Sequence, residues 1–337
     1  MRTLGGGCGQ WEQISPRDRE DGSVPRHRPL PPRLHGTAFA VGDRALHGQT
    51  SGRLRGVDLD APFWGVRSVD VDLGDVFGRC AAFSPRRRPG WVFSHLTAAE
   101  LLGAPLPNSC THDADLHIGA LHGVQPARCR GVVGHRLAET TRTTQIRGFT
   151  LTAPADTFAL LATMLELPDL VAVGDFLVSG SRSRGGSRVD VRTTIDELTA
   201  AVAAYGSRRS ARVLRDALPL VRVGVDSRPE THLRLALIDA GLPEPSVNPA
   251  VPVDGGTAVL HPDLAEVRLR IAYEYEGDLH RTDQRRFRND IVRRERFEAA
   301  GWRVVRVTAH DLFVDRASFI ARVRRLRRLV ESAHSAR

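Results

Sequence analysis

The chain has 337 residues, of which 41% are hydrophobic and 26% charged, so it can bury a sizeable core, and its length favours two domains over one. Its formal net charge is +9 and its sequence pI is about 10.6, which favours a polyanionic partner. All 48 of its Lys or Arg positions are arginine, which excludes mechanisms that need a lysine nucleophile, Schiff base or P-loop lysine. A G+C-rich coding sequence would produce the same bias without selection on the protein.

Residues 1 to 36 are rich in Gly, Arg, Pro and Asp and contain no apolar core. We expect them to form a disordered arm or an over-extended start rather than a signal peptide. No run in the chain approaches the ~18 apolar residues of a membrane span. The cysteines are widely spaced, with neither a CxxC pair nor a disulfide framework. A reduced, cytoplasmic location without membrane contact fits these features best.

Residues 37 to 224 predict a mixed, largely helical region. Residues 91 to 103 have the pattern of a strand that runs into a helix, with Thr97 as the N-cap and Glu100 as its capping-box partner. Alternating residues between 115 and 152 predict strands. Helical spacing follows over four segments: 154–165, 168–178, 195–205 and 208–218.

The sequence rhythm changes near Gly224, and we place a second domain at residues 225 to 337. Its apolar patterning predicts a helix, three successive strands, a helix, a strand and a final helix. The expected bounds are 229–240, 247–253, 257–264, 268–276, 284–300, 303–308 and 318–332. The order of elements is therefore αβββαβα.

Acidic residues are concentrated on the predicted strands of this second domain. Asp263 ends one strand and Glu274 lies near the end of the next, so antiparallel pairing would bring them to one edge of the sheet. Glu276 projects to the same face as Glu274, and Glu230 lies on the preceding helix. Converging carboxylates repel one another unless a cation lies between them, although surface acids on strands are also common. Hard cations such as Mg²⁺ or Mn²⁺ prefer such oxygen ligands and can activate water for phosphodiester hydrolysis.

A second group of metal-binding residue types is Cys110, His112, His117 and His122. Steps of five residues do not align histidines on one helix face, and no zinc spacing is met. This local pattern does not predict a zinc site. No GxGxxG, P-loop or GxSxG motif supports a nucleotide-dependent or serine-hydrolase function.

Residues 226 to 313 resemble the very-short-patch-repair-type endonuclease domain of the PD-(D/E)xK superfamily, in the version catalogued as domain of unknown function 559. The resemblance covers about a quarter of the chain in the expected order and spacing. The matching residues are 227–237, 241–245, 263–265, 271–277, His280, Asp290, Arg293, Arg294 and 301–308.

The resemblance implies a restriction-endonuclease-like α+β core with a mixed sheet, and it implies roles for particular residues. Asp263 and Glu274 would bind the divalent metal, and Glu230 would be the supporting acid. His280 would act as a general acid/base or donate a hydrogen bond to a phosphate. The alternative is that His280 is a loop residue that only caps a strand end. Glu276 stands where the family usually has aspartate.

The signature lysine of the superfamily is absent from this chain. Its role in orienting water or stabilising charge would pass to His280, Arg281 or Arg306.

Residues 285 to 328 carry 14 arginines against five acidic residues. Arginines that flank the acidic residues would contact backbone phosphates of DNA, with salt-dependent and largely sequence-independent affinity; the alternative is a solvated charged face. The residues expected to contact nucleic acid are Arg281, Arg285, Arg286, Arg293, Arg294 and Arg306.

Residues 91 to 222 resemble the AbiEi-type antitoxin-like regions that often precede this nuclease-like domain in actinobacterial proteins. The matching segments are 94–103, 131–136, 152–157, 169–175 and 209–212. Two hypotheses follow. The chain is a Mg²⁺-dependent DNA endonuclease with an N-terminal recognition or regulatory region, or it is a catalytically inactive DNA-binding antitoxin or transcriptional regulator.

Overall fold

A computed structural model describes residues 29–45, 47–111, 115–182, 188–277 and 284–335, with the backbone alone for 182, 284–289, 334 and 335. The fold is a mixture of helices with antiparallel and mixed sheets, which confirms the predicted α/β (α+β) class.

The α-helices are α1 (Val76–Phe83), α2 (His95–Leu102), α3 (Pro154–Leu161), α4 (Leu167–Ser179), α5 (Ile195–Tyr205), α6 (Ala211–Ala217), α7 (Arg228–Asp239), α8 (Gln284–Ala299), α9 (Ala309–Phe313) and α10 (Arg316–Ser335). In the described part of the chain, none of them is long and apolar enough to cross a bilayer.

The strands are β1 (Thr37–Ala40), β2 (Val66–Val69), β3 (Trp91–Phe93), β4 (Leu116–Ala120), β5 (Val132–Arg136), β6 (Thr143–Ile146), β7 (Phe149–Thr152), β8 (Ser181–Arg182), β9 (Arg188–Val189), β10 (Ser246–Val247), β11 (Val251–Val253), β12 (Ala258–Leu260), β13 (Leu264–Glu266), β14 (Ile271–Glu276) and β15 (Arg303–Thr308).

The larger sheet has the strand order β5-β4-β3-β7-β6. Strand β3 pairs antiparallel with β4 and parallel with β7, while β4 pairs parallel with β5. Its buried side chains pack with those of α2, α3 and α4 in one hydrophobic core, which includes Phe93, Leu116, Leu151, Phe158 and Leu170. Burial of this apolar surface is the main stabilising contribution to the region.

The predicted capping box of α2 is wrong. The N-cap is Ser94, and the hydroxyl of Thr97 instead accepts a hydrogen bond from the backbone N–H of His117 on β4. Glu100 forms an ion pair with Arg79 of α1. A neighbouring strand and helix therefore take up side chains that the local sequence assigned to a cap.

The second sheet has the order β10-β13-β14-β15. Strands β10, β13 and β14 pair antiparallel, whereas β14 and β15 run parallel. Side chains of α7 and α10 cover one face through Leu233, Phe319 and Val323, and Phe297 of α8 and Trp302 belong to the core on the other.

Two strands predicted in this region are each divided in the structure. Residues 247 to 253 supply β10 and β11, and residues 257 to 264 supply β12 and the start of β13. Asn248 has φ of 46°, which turns the chain between β10 and β11, and Pro262 cannot donate to a strand ladder. Strands β11 and β12 form a separate hairpin, so Asp263 immediately precedes β13 instead of ending a strand.

The expected arm, residues 1 to 36, is described only from residue 29. Leu30 and Leu34 are buried in a small cluster with Phe39, Leu54 and Leu59. Residues 29 to 36 therefore pack against the fold, which corrects the expectation of disorder for this part of the arm. The boundary near residue 224 stays a prediction, since Leu235 of α7 belongs to the first core and Leu233 to the second.

Helices α4 and α7 are joined by a buried ion pair. Arg234 and Asp175 are both fully buried, and Nη2 of Arg234 lies 3.0 Å from Oδ2 of Asp175. The same arginine reaches Glu244 at 2.9 Å, and the aspartate also accepts from the Thr231 hydroxyl at 2.8 Å and from the Arg222 backbone N–H at 2.7 Å. These contacts hold α7 in one position against α4.

We expect Arg234→Met to lower the free energy of unfolding by about 3–5 kcal/mol, because it leaves the Asp175 carboxylate buried without its charge partner. Urea denaturation followed by circular dichroism measures the loss. The control is Arg212→Ala, which removes an exposed pair with Asp216 and should cost less than about 0.5 kcal/mol. Equal losses in the two variants would contradict a structural role for the buried pair.

Candidate active site

Asp263 and Glu274 lie side by side on neighbouring strands. Leu264 pairs with Tyr273 and Ala265 with Ala272, so the antiparallel register continues to Asp263 across from Glu274. Side chains alternate along a strand, and both acids therefore share a face with Ala265 and Ala272. The backbone N–H of Tyr275 donates to Oδ2 of Asp263 at 2.8 Å, which orients that carboxylate.

Glu230 comes to the same place from the first turn of α7. It is only 6% exposed, and its Oε1 accepts from the hydroxyl of the N-cap Ser227 at 2.9 Å. Its Oε2 accepts from the backbone N–H of Asp226 at 3.0 Å. Ser227 also caps α7, because its hydroxyl accepts from the backbone N–H of Glu230, so the helix start holds the carboxylate in place.

Electrostatics show that these carboxylates interact. Burial and the neighbouring Asp263 raise the pKa of Glu230 to about 8. Burial also raises the pKa of Asp263 to about 6 against the hydrogen bond from Tyr275, and Glu274 adds to the increase. We call Glu230, Asp263 and Glu274 the acidic cluster. A surplus of negative charge of this kind is typical of functional sites and of cation sites.

Arginines compensate part of this charge. Nε of Arg293, on α8, donates to Oε1 of Glu274 at 2.8 Å, and Arg306 on β15 forms an ion pair with Glu276. The guanidinium of Arg293 thus lies at the acidic cluster, and its contact with nucleic acid stays a prediction. Glu276 lies on β14 beside Glu274, with its charge already paired.

Four other predicted site residues have no described side chains. His280 and Arg281 lie outside the described residues, and Arg285 and Arg286 lie on α8 without described side chains. Asp226 was not predicted as a site residue, although its charge raises the pKa of both Glu230 and Asp263. The sequence signal that could have identified Asp226 is its position directly before Ser227, the N-cap of α7.

A basic groove of about 450 Å³ lies along β15, the edge strand of the second sheet. Arg294 of α8, Arg306 of β15, and Arg322 and Arg325 of α10 line it together with apolar side chains. Arg306 pairs in register with Glu274, so the groove begins next to the acidic cluster. Its charge and position fit a polyanion.

A different set of side chains offers nitrogen ligands. We looked for groups of three or more His, Cys, Asp or Glu side chains whose ligand atoms all lie within 4.8 Å of one another. Within the described residues, His95, His117 and His135 form such a group. The chain can therefore hold a metal ion at a place that the local spacing around Cys110 did not predict. The acidic cluster does not meet that distance criterion.

Comparison with known proteins gives two relatives from Mycobacterium tuberculosis, named uncharacterized protein MT2308 and uncharacterized protein Rv2248. Each is 28% identical over 255 residues, covering 74% of this chain and 86% of the relative. No protein-family model matches the chain, and no solved structure gives a significant match.

We expect Glu230→Gln to stabilise the protein at about pH 8. The folded-state pKa is above the ordinary value near 4.5, so stability falls as the pH rises from about 4.5 to about 8, and glutamine removes this loss. Glutamine can still accept from the Asp226 N–H and donate to the Ser227 hydroxyl.

Urea denaturation at about pH 8 should show a gain on the order of 1–3 kcal/mol for this variant, and at about pH 5 almost none. A variant that is less stable than the wild type at pH 8 would show that the Glu230 carboxylate is not under electrostatic stress.

Proposed function

We propose that residues 225 to 337 form a metal-dependent DNA endonuclease domain of the very-short-patch-repair type, which hydrolyses phosphodiester bonds. The observation that carries this proposal is the acidic cluster, in which Asp263 and Glu274 share one face of the sheet and the buried Glu230 lies beside them. Such a cluster is costly to fold, which is expected of a site kept for chemistry.

The topology supports a restriction-endonuclease-like core. A helix precedes three antiparallel strands, and the last of these pairs parallel with a strand that follows another helix. Apart from the inserted hairpin of β11 and β12 and the short helix α9, this order is compatible with the αβββαβα arrangement that the resemblance implies. Asp263 lies immediately before β13 and Glu274 within β14, so the pairing of these two strands brings the acids together.

The donor set fits a hard divalent cation such as Mg²⁺ or Mn²⁺, because carboxylate oxygens are its preferred ligands and the cluster carries surplus negative charge. Asp263 and Glu274 would hold it. When bound, such an ion polarises a phosphoryl oxygen and lowers the pKa of bound water.

The protein groups around the cluster have their own roles in this proposal. Burial and the charge of Asp263 raise the pKa of Glu230, so this carboxyl is the candidate general acid for a leaving oxygen. Arg293 lies beside Glu274 and can stabilise negative charge on a phosphate, a role that the missing signature lysine would otherwise fill. The basic groove would position the DNA backbone.

A second candidate function is a DNA-binding antitoxin or transcriptional regulator without catalysis. The pairing of Glu274 with Arg293 and of Glu276 with Arg306 favours it, since these carboxylates already have cationic partners. In this case the AbiEi-like residues 37 to 224 would recognise a regulatory site or a partner, and the groove alone would supply affinity.

We expect the wild-type protein to nick supercoiled plasmid DNA with Mg²⁺ or Mn²⁺, and we expect Asp263→Asn and Glu274→Gln each to reduce the rate by at least about 100-fold. Gel electrophoresis of a supercoiled and a mismatch-containing plasmid measures the rate.

Glu266→Gln is the matched control, because Glu266 is a carboxylate on β13 whose side chain faces Arg327 on the opposite side of the sheet. It should nick like the wild type. No metal-dependent nicking by the wild type, with DNA binding intact in all three variants, would favour the regulator.

We expect the double variant Arg294→Ala, Arg325→Ala to bind DNA about 5- to 10-fold more weakly and to reduce the slope of log K against log salt concentration by about 2. Fluorescence anisotropy with a short duplex at several salt concentrations measures both quantities. Arg212→Ala with Arg215→Ala on α6 changes the net charge equally and should have little effect. Equal losses in the two double variants would contradict binding in the groove.

A further inference from the structure

Three histidines from distant parts of the sequence meet beside the larger sheet. His117 lies on β4, His135 on the neighbouring β5, and His95 in the first turn of α2. One ring nitrogen of each lies within 4.8 Å of the others, and Nδ1 of His117 is 2.9 Å from Nε2 of His135. We call these residues the histidine triad.

The sheet register explains how two members come together. Strands β4 and β5 are parallel, with His117 paired to Val133 and Gly119 paired to His135. His117 and His135 are therefore on one face of the sheet, two positions apart along it. Regular backbone on two neighbouring strands fixes both rings, which gives more precise placement than a loop would.

The third member is held by a strained turn. His95 has φ of 49°, a left-handed conformation that costs a residue other than glycine about 1–3 kcal/mol. The preceding Ser94 is tied to β4, because its N–H donates to the carbonyl of His117 at 2.9 Å. The turn places the ring of His95 over that of His135, with centroids 3.7 Å apart and planes inclined by 23°.

Two of the three histidines are buried, and none of the three has an acidic hydrogen-bond partner among the described residues. His95 is 5% and His117 7% exposed, while His135 is half-buried. Among the described residues, the side-chain hydrogen bonds of the three rings go to Ser94 and to one another. Burial lowers the pKa of His95 to about 2 and of His117 to about 4, and it also lowers that of His135. The rings are therefore neutral, the form in which imidazole binds metals.

We propose that His95, His117 and His135 together bind one borderline transition-metal ion, best matched by Zn²⁺, with water as the fourth ligand. Imidazole nitrogens suit zinc and its neighbours, whereas Mg²⁺ prefers oxygen ligands. Zinc–nitrogen bonds of about 2.0–2.1 Å in a tetrahedron place the nitrogens about 3.4 Å apart. The nitrogens of His117 and His135 are 2.9 Å apart, and that of His95 lies within 4.8 Å of both, so modest ring rotations bring the three to this spacing. Three protein ligands and a half-buried edge leave the fourth position to solvent. The site is separate from the acidic cluster and does not depend on nuclease activity.

The first test is metal binding by the full-length chain after chelation. Isothermal titration should give one Zn²⁺ per chain with a Kd below about 1 µM, and Co²⁺ should give the visible d–d bands of a four-coordinate site. His117→Gln and His135→Gln should each weaken binding by at least about 100-fold. Binding of less than one tenth of an equivalent by the wild type at about 10 µM Zn²⁺ would overturn the proposal.

Two controls make the outcome specific. His122→Ala removes an exposed histidine just after β4 and should bind like the wild type. Asp263→Asn should also retain the cobalt bands, because it changes only the acidic cluster; loss of the bands in this variant would place the metal there and overturn the proposal.

If the glutamine variants do not fold, X-ray absorption of zinc bound to the wild type decides between the sites. Scattering from three imidazoles supports the triad, and an oxygen-only shell contradicts it.

Discussion

The buried contact between Arg234 and Asp175 is the constraint on which the candidate active site depends. It fixes α7 against α4, and Asp169 of α4 strengthens the same interface through Arg228 and His232 at the start of α7. Glu230 lies between these two attachments. A buried ion pair is weak evidence for net stability, but it penalises every other position of the helix, since displaced charges would stay buried without partners. Consistent with that cost, Nε of Arg234 is buried without a hydrogen bond to any described residue.

With α7 held in place, the second sheet completes the acidic cluster. Asp263 and Glu274 are adjacent because β13 and β14 pair antiparallel, and β15 adds Arg306 on the other side of β14. Arg293 reaches Glu274 from α8, which covers the same face of the sheet. The three carboxyl groups of the acidic cluster thus lie near two arginine-bearing elements, α8 and β15. That arrangement sets carboxylate oxygens next to a basic groove, the juxtaposition on which the proposed action on DNA rests.

The two candidate metal sites differ in chemistry. The acidic cluster offers charged oxygen ligands at the edge of a basic groove, and the histidine triad offers neutral nitrogen ligands in a buried part of the N-terminal region. We therefore expect hard cations to prefer the acidic cluster and borderline cations to prefer the histidine triad. Each site also carries a cost in stability: raised carboxyl pKa values at the first, and the positive φ of His95 at the second. Costs of this kind are typical of functional sites.

Several elements are determined by local sequence. Helix α5 and strand β15 have the predicted bounds, because Thr194 and Glu197 form a capping box and residues 303 to 308 are rich in β-branched side chains. The proximity of Asp263 and Glu274 also follows from the order of strands. Which strands share a sheet does not follow from local sequence. Alternating apolar residues cannot show that β11 and β12 form a sheet separate from that of β10 and β13. The role of Thr97 and the histidine triad depended on pairing between β3, β4 and β5, which are distant in sequence. Local residue preferences therefore determined elements such as α5 and β15, and only long-range strand pairing and helix packing decided which side chains meet.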